Sequence, residues 1–166
     1  MRSLLRRFAL AALVVPAAAG VVTTASSAEA APVRAEVKAS EQALQADLVR
    51  LTNEQRAQHG CPALSVDARL TEAARGHSAW MARTGSFSHT GDGGSTFVAR
   101  VKAAGYRSPS AENIAWGYRS AAEVMNAWMH SAGHRSNILN CQSTTVGVGA
   151  VHAANGAPYY TQDFGY

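Results

Sequence analysis

The stretch TVGVGAVHAANGAPYYTQDF, residues 145–164, decides the fold class of this chain. Its residues alternate between two faces along two runs, one before and one after Asn155-Gly156, as they do in β-strands. Asn-Gly is a strong signal for a two-residue hairpin turn, so the runs predict two antiparallel strands. The residues predicted to share a face are Val146, Val148 and Ala150 in the first run and Tyr160, Gln162 and Phe164 in the second.

The chain before this hairpin has helical spacing instead. A first helix is predicted to be capped by Ser40 and to end by Gly60. Leucines that recur at i, i+4 and i+7 predict its inward face. The predicted inward residues are Leu44, Leu48 and Leu51, and the predicted outward residues are Glu41, Asp47, Arg50 and Glu54.

Two more helices are predicted before a short extended segment at residues 111–116. The second helix is capped by Asp67 and ends at Gly85, and the third starts at Ser95 or Thr96 and ends at Gly105. The stripe expected to be buried in the second helix is Leu70, Ala73, Ala74, His77 and Met81. Residues 85–94 between these helices are rich in glycine and hydroxyls and predict a loop.

A fourth helix follows the extended segment. Ser120 and Glu123 match the S-x-x-E capping box, and Gly133 is predicted to break the helix. Its predicted inner face is Val124, Ala127 and Trp128. Helices beside a small antiparallel sheet make the chain an α+β domain.

The N-terminus has the plan of a secretory signal peptide. Three arginines precede an apolar run at residues 8–22, and Ala28-Glu29-Ala30 matches an A-x-A cleavage site. The alternative, a membrane anchor, is disfavoured because the run is alanine-rich and contains Pro16. We therefore predict a signal peptide at 1–30, a mobile leader at 31–39 and one domain at 40–166, with no anchor left after cleavage.

Charge and cysteine content narrow the class of protein further. Removing residues 1–30 takes three arginines and one glutamate from 15 basic and 11 acidic residues, so the formal charge falls from +4 to +2. No Lys/Arg cluster remains, which argues against nucleic acid as a partner.

Cys61 and Cys141 have only one intramolecular pairing available, and an oxidising compartment favours a disulfide over two free buried thiols.

Three polar residues are candidates for chemistry. Glu112 lies on the extended segment, and if its face is inward, a cation, an imidazolium or a metal is expected nearby. The alternative is that Glu112 is a structural carboxylate. His89, in the glycine-rich loop, is a metal ligand, a proton carrier or a solvated side chain. His134 is either a cleft residue or a hydrogen-bond donor at a helix break.

Other chemistries have weaker support. His130 and His134 are four residues apart, but Ser131 replaces the glutamate of the H-E-x-x-H zinc motif. His77, on the apolar stripe of the second helix, is expected to be a core histidine. Neither a G-x-S-x-G nucleophile motif nor a phosphate-binding loop is present in the sequence.

Six motifs in order resemble the bacterial branch of the CAP superfamily of cysteine-rich secretory, antigen 5 and pathogenesis-related 1 proteins. The resemblance covers residues 44–166. The motifs are LTNEQR at 51–56, PALSVDARL at 62–70, FSH at 87–89, AENIA at 111–115, AWM at 127–129 with GHRSNIL at 133–139, and VGVG at 146–149 with YTQ at 160–162.

This resemblance implies a three-layer α-β-α sandwich with a small central antiparallel sheet. In animal and plant members two histidines and two glutamates of a cleft can bind a divalent metal. His89 matches the first histidine and Glu112 the first glutamate. Ser131 stands where the second glutamate belongs and Tyr159 where the last histidine belongs, so at most a weakly bound divalent metal is expected.

We therefore expect a secreted, extracellular binding or interaction module with a polar cleft around His89, Glu112 and His134. Its ligand would be a lipid, a cell-wall component or a protein, and the chain is expected to be a monomer. The alternative is a secreted, peptidase-like hydrolase in which Glu112 and the histidines act, with or without a metal. The binding module is preferred because the sequence offers no convincing nucleophile or complete metal set.

Overall fold

A computed structural model describes residues 30–166, without the side chains of residues 30–32, 38 and 39. The predicted signal peptide, apart from Ala30, lies outside the described residues. The helices are α1 (Ala30–Gln58), α2 (Ala68–Thr84), α3 (Phe97–Ala103), α4 (Ala121–Met129) and α5 (Ala132–Ile138). The strands are β1 (Ser65–Val66), β2 (Pro109–Trp116), β3 (Thr145–His152) and β4 (Pro158–Gly165). A single 3-10 turn, Asp92–Gly94, lies in the glycine-rich loop.

The four strands form one sheet in the order β1-β3-β4-β2. The predicted hairpin is confirmed as β3 and β4, which pair antiparallel, and β2 pairs antiparallel with the other edge of β4. The sheet is mixed rather than wholly antiparallel, because the two residues of β1 pair in parallel with the start of β3. The connection is longer than the predicted two-residue turn, because residues 153–157 separate the two strands. Within it Gly156, at φ +82°, closes a turn by donating its N–H to the carbonyl of Ala153.

The expected three layers are present. α1, α4 and α5 pack on one face of the sheet, and α2 and α3 pack on the other. The larger core lies on the first face and includes Leu48, Val124, Met125, Trp128, Ile138, Val146, Val148, Ala150, Tyr160 and Phe164. Within residues 30–166, no helix combines the length and the apolar composition needed to cross a bilayer.

The glycines of β3 let α2 pack directly on the sheet. Val146, Val148 and Ala150 face the larger core, as predicted, so Gly147 and Gly149 face α2. A Cβ atom added at Gly147 would lie 2.1 Å from the backbone of α2, and one added at Gly149 would lie 2.4 Å from it. No side chain fits there, and this close packing fixes α2 above the sheet.

α2 and α3 begin and end as predicted. The side chain of Asp67 accepts the N–H of Arg69, and Gly85 ends α2 in the left-handed conformation. Thr96 caps α3 through the N–H of Ala99. All five residues of the predicted α2 stripe are buried.

Two predictions for α1 are wrong. The helix begins at Ala30 rather than Ser40, because residues 31–39 are alanine-rich and favour continued helix. Ser40 lies inside it and donates to the carbonyl of Val37. Among the side chains of residues 33–37 none is buried.

The buried face of α1 is also rotated from the predicted one. Leu48 is buried, but Leu44 and Leu51 are only half-buried. The residues that complete the buried stripe are polar, and they are Glu41, Gln45, Thr52 and Arg56. Each of them has a hydrogen-bond partner: the carboxylate of Glu41, for example, accepts the N–H of His152.

The region around Gly133 also differs from the prediction. The capping box of α4 is present in part: Ser120 accepts the N–H of Glu123, but the Glu123 carboxylate accepts the N–H of Arg119. The helix ends at Met129 and a new helix follows Ser131, whose backbone is extended. Gly133 therefore lies inside α5 and does not break a helix.

The predicted disulfide is confirmed. Cys61 and Cys141 are bonded, with their Cα atoms 4.9 Å apart. The bond joins the loop after α1 to the segment after α5.

Candidate functional site

Glu112 lies near the middle of β2, on the face of the sheet that α2 covers. Only 1% of its side chain is exposed. Its Oε1 accepts a hydrogen bond from Nδ1 of His89 at 2.7 Å, and its Oε2 accepts one from Nη2 of Arg100 at 2.5 Å. The buried carboxylate therefore has the cationic partner that was expected, the guanidinium of Arg100. Glu112, His89 and Arg100 are called the Glu112 network below.

The Glu112 network holds the glycine-rich loop against the sheet. Arg100 donates from Nη1 to the carbonyls of His89 and Ser95, at 3.0 and 2.8 Å. From α2, Nε2 of His77 donates to the carbonyl of Ser88 at 2.9 Å. Sequence reasoning missed Arg100, although a buried carboxylate required a cation and α3 supplies it.

His77 is a core histidine, as predicted. It is buried, and its ring stacks on Trp80 with centroids 5.5 Å apart. Burial lowers the pKa of His77, so the ring is neutral at pH 7. Its Nδ1 has no hydrogen-bond partner among the described residues.

Asp163 is a second buried carboxyl group that sequence reasoning missed. It pairs with Glu112 across β4 and β2 and is fully buried. Neither of its carboxyl oxygens has a hydrogen-bond partner among residues 30–166. Burial, followed by the negative charge of Glu112, raises the pKa of Asp163 well above its usual range.

His134 does not join the Glu112 network. It lies on α5, half-buried, with its ring centroid 6.4 Å from that of Trp128. Its carbonyl, rather than its ring, accepts a hydrogen bond from the side chain of Asn113. Burial, followed by the charge of His89, lowers the pKa of His134, which leaves a neutral imidazole at pH 7.

His134 instead lines a pocket beside the network, with a volume of about 290 Å³. The pocket lies between the glycine-rich loop, the end of β2 and the junction of α4 with α5. It is called the aromatic pocket below, and its lining residues are Phe87, Ile114, Ala115, Trp116, Tyr118, Ala127, Trp128, Ser131 and His134. The single polar cleft expected from the sequence is therefore two neighbouring features: His89 and Glu112 in a closed network, and His134 at an open pocket.

The residues that match the family's metal ligands do not fit a divalent metal. Both oxygens of Glu112 are used, and the guanidinium of Arg100 occupies the place of a compensating cation. Ser131 lines the aromatic pocket, and the ring of Tyr159 packs in the core against Trp116. No group of three or more His, Cys, Asp or Glu side chains within residues 30–166 is arranged to hold a metal ion.

His130 and His134 do not form a metal pair either. His130 is the C-cap of α4, where its Nδ1 lies 2.8 Å from the carbonyl of Asn126. The extended backbone of Ser131 separates it from α5 and His134. The two imidazoles therefore do not share one helix face.

Comparison with known proteins gives a consistent family match. The model of the cysteine-rich secretory protein family, CAP, matches residues 49–164. YkwD, an uncharacterized protein of Bacillus subtilis (strain 168), is 37% identical over 118 residues, which are 70% of this chain and 45% of YkwD.

Two solved structures of bacterial proteins have folds similar to that of this chain. An extracellular protein containing an SCP domain from Bacillus anthracis str. Ames superposes with a TM-score of 0.72 at 31% identity, over 79% of this chain and 43% of that one. A cysteine-rich secretory protein from Staphylococcus aureus subsp. aureus Mu50 superposes with a TM-score of 0.61 at 22% identity, over 75% of this chain and 39% of that one, and shows the same fold. The chain thus spans less than half the length of each of these relatives.

Proposed function

This chain belongs to the cysteine-rich secretory protein (CAP) family, and we propose that it works outside the cell as a binding module whose aromatic pocket receives the ligand. The observation that carries the proposal is the contrast between two neighbouring features. Glu112 is closed off by its partners, whereas the pocket next to it is open and walled by exposed aromatic rings.

The contacts of Glu112 favour a structural role over general-base catalysis. A general base must lie within hydrogen-bond reach of the substrate, whereas the Glu112 side chain is only 1% exposed and each of its oxygens already accepts a hydrogen bond from a neighbouring side chain. The Arg100 guanidinium also holds the carboxylate in place through its contact with Oε2. In this proposal Glu112 anchors His89, and His89 fixes the loop that places Phe87, two residues earlier, at the rim of the pocket.

One observation favours the hydrolase alternative. Glu112 binds Nδ1 of His89, and this contact orients an imidazole whose side chain is 57% exposed, as a carboxylate does in a catalytic triad. A nucleophile is also needed, and the neighbouring Ser88 hydroxyl instead accepts the N–H of Thr90. Among residues 30–166, the His89 ring has Glu112 as its one side-chain hydrogen-bond partner, so the binding module remains the better supported proposal.

An extracellular location is part of the proposal. The pattern of residues 1–30 is that of a signal peptide, and the Cys61–Cys141 bond is of a kind that persists in oxidising compartments. The Bacillus anthracis relative is itself described as extracellular.

The test combines binding with turnover. Purified protein is titrated onto isolated bacterial cell envelopes, and co-sedimentation is measured for wild type, Trp116→Ala and Val66→Ala. Val66 is the matched control because it is also an exposed apolar side chain but lies away from the pocket. We expect saturable binding that weakens at least about tenfold in Trp116→Ala and is unchanged in Val66→Ala.

The same preparations are screened for turnover of peptides, esters and glycans, beside Glu112→Gln and His89→Gln. The proposal expects no turnover. Turnover that both substitutions abolish, with the unfolding midpoint of His89→Gln unchanged, would establish the hydrolase instead. Envelope binding that is equal in wild type and Trp116→Ala would refute the role of the pocket.

A further inference from the structure

We propose that the aromatic pocket binds a single neutral sugar ring, such as a hexose or N-acetylhexosamine unit of an extracellular polysaccharide. This inference rests on the proposed binding function and names the class of its ligand. It is drawn from the rings that wall the pocket, the charge of its lining and the hydrogen-bonding groups left free within it.

The walls of the pocket are exposed aromatic faces. Phe87, Trp116 and Tyr118 are 50%, 52% and 38% exposed, and they are three of the seven large apolar residues that are exposed within the described part of the chain. Their convergence on one pocket departs from the scattered distribution of ordinary surface apolar residues. An aromatic face is a suitable surface for the C–H face of a pyranose ring.

The Trp116 ring and the backbone turn that follows it are held in place before a ligand arrives. Trp116 packs against Tyr159, with ring centroids 6.0 Å apart. The following turn is fixed by the N–H of Gly117, which donates to the carbonyl of Pro158, and by the hydroxyl of Tyr160, which donates to the carbonyl of Tyr118. A preformed platform loses little conformational freedom on binding.

The lining of the pocket carries no fixed charge. It contains no Asp, Glu, Lys or Arg, and burial keeps its one titratable imidazole, His134, neutral at pH 7. A phosphate, a carboxylate or an ammonium group would lose its hydration there without meeting an opposite charge. The ligand expected for such a pocket is therefore neutral.

The pocket is nevertheless not wholly apolar. His134 and Ser131 line it, and neither the ring of His134 nor the hydroxyl of Ser131 has a hydrogen-bond partner among the described residues. A hydrocarbon chain would bury both groups unsatisfied, which is unfavourable. Sugar hydroxyl or acetamido groups would pair with them while the C–H face of the ring stacks on the aromatic wall.

The volume of the pocket, about 290 Å³, limits the size of the unit that it can bind. It lies at the lower end of the range of small-molecule sites and suits one ring with its substituents. The pocket is open to solvent, so the rest of a polysaccharide chain can extend away from it.

The experiment titrates the purified protein and its Trp116→Ala and Val66→Ala variants with four soluble probes up to about 10 mM, and follows chemical shifts by NMR. Two probes are neutral saccharides, chitotriose and maltotriose. The other two are decanoate, for an acyl chain, and N-acetyltryptophanamide, for a peptide side chain. We expect at least one saccharide to bind, at least about tenfold more weakly to Trp116→Ala and equally to Val66→Ala.

Each other outcome overturns the inference in a distinct way. If decanoate or N-acetyltryptophanamide binds through Trp116 and neither saccharide does, the sugar assignment is wrong and the binding function stands. If no probe binds in a Trp116-dependent way and envelope binding is also independent of Trp116, both proposals fail. Saccharide binding that is equal in wild type and Trp116→Ala refutes this pocket as the site.

Discussion

Replacing Arg56 by methionine should remove much of the stability of the domain. Arg56 is fully buried, and its guanidinium donates four hydrogen bonds to backbone carbonyls at 2.8 to 2.9 Å. These carbonyls belong to Pro62, Ile138, Asn140 and Ser143. One side chain thus joins the end of α1 to the loop after it, the end of α5 and the segment before β3.

The expected loss follows from the burial of these four bonds. Those to Ile138 and Ser143 are buried, and those to Pro62 and Asn140 are partly buried. Methionine has a similar length and no donors, so each buried carbonyl left without a partner costs about 2 kcal/mol, while water replaces the lost bond at the other two. The sum is about 4 kcal/mol, a large part of the 5–15 kcal/mol typical of a whole domain.

The assay is equilibrium unfolding in guanidinium chloride with the disulfide intact, followed by circular dichroism. Arg50→Met is the matched control on the same helix, because Arg50 is exposed and its ion pairs with Asp47 and Glu54 lie at the surface. We expect its midpoint to equal that of wild type. A loss below about 1 kcal/mol for Arg56→Met, with an unchanged denaturant slope, would refute the role given to these bonds.

Three further predictions concern the sheet and the disulfide. Burial raises the pKa of Asp163, so above about pH 4 the unfolded chain has released a proton that the folded protein keeps, and the stability of wild type should fall as the pH rises toward that raised pKa. In denaturant melts at a series of pH values, the stability of Asp163→Asn relative to wild type should therefore increase with pH, and a difference that stays constant would contradict the raised pKa. Gly147→Ala should cost at least about 3 kcal/mol of stability or prevent folding, because its Cβ would lie 2.1 Å from the α2 backbone. Gly76→Ala is the control, and because Gly76 lies inside α2 with open space around it, that variant should be neutral or stabilised by about 0.5 kcal/mol in the same melts. The paired change Cys61→Ser and Cys141→Ser opens a loop of 80 residues and should lower the free energy of unfolding by about 4 kcal/mol; a loss below about 1 kcal/mol would contradict that estimate.

The sequence predicts best those features that depend on neighbouring residues. Asp67 and Gly85 bound α2 as expected, because a cap requires only a side chain and a few adjacent N–H or carbonyl groups. The β3–β4 pairing was predictable from alternation and from Asn155-Gly156. The break after Met129 was not predicted, because Gly133 was expected to end the helix; instead Ser131, a residue type common at N-caps, starts α5 without a side-chain capping hydrogen bond, and Gly133 lies inside that helix.

Features that depend on tertiary contacts were harder to predict. Polar residues of α1, such as Gln45 and Thr52, looked like surface residues, yet they are buried because strands far along the chain supply their partners. Asp163 alternates with core residues of β4 and was assigned no role, because only the pairing of β4 with β2 brings it beside Glu112. Arg100 was missed for the same reason.

Arg100 also explains how the fold accommodates a buried Glu112 when Ser131 and Tyr159 stand at the two positions where the sequence resemblance led us to expect further metal ligands. An ionised carboxylate inside a protein requires a compensating positive charge, whichever group supplies it. Here the guanidinium of Arg100 meets that requirement and also binds the carbonyls of the loop that carries His89. The loop, and with it Phe87, can therefore be positioned without a metal ion, which leaves the aromatic pocket as the part of the site that is open to a ligand.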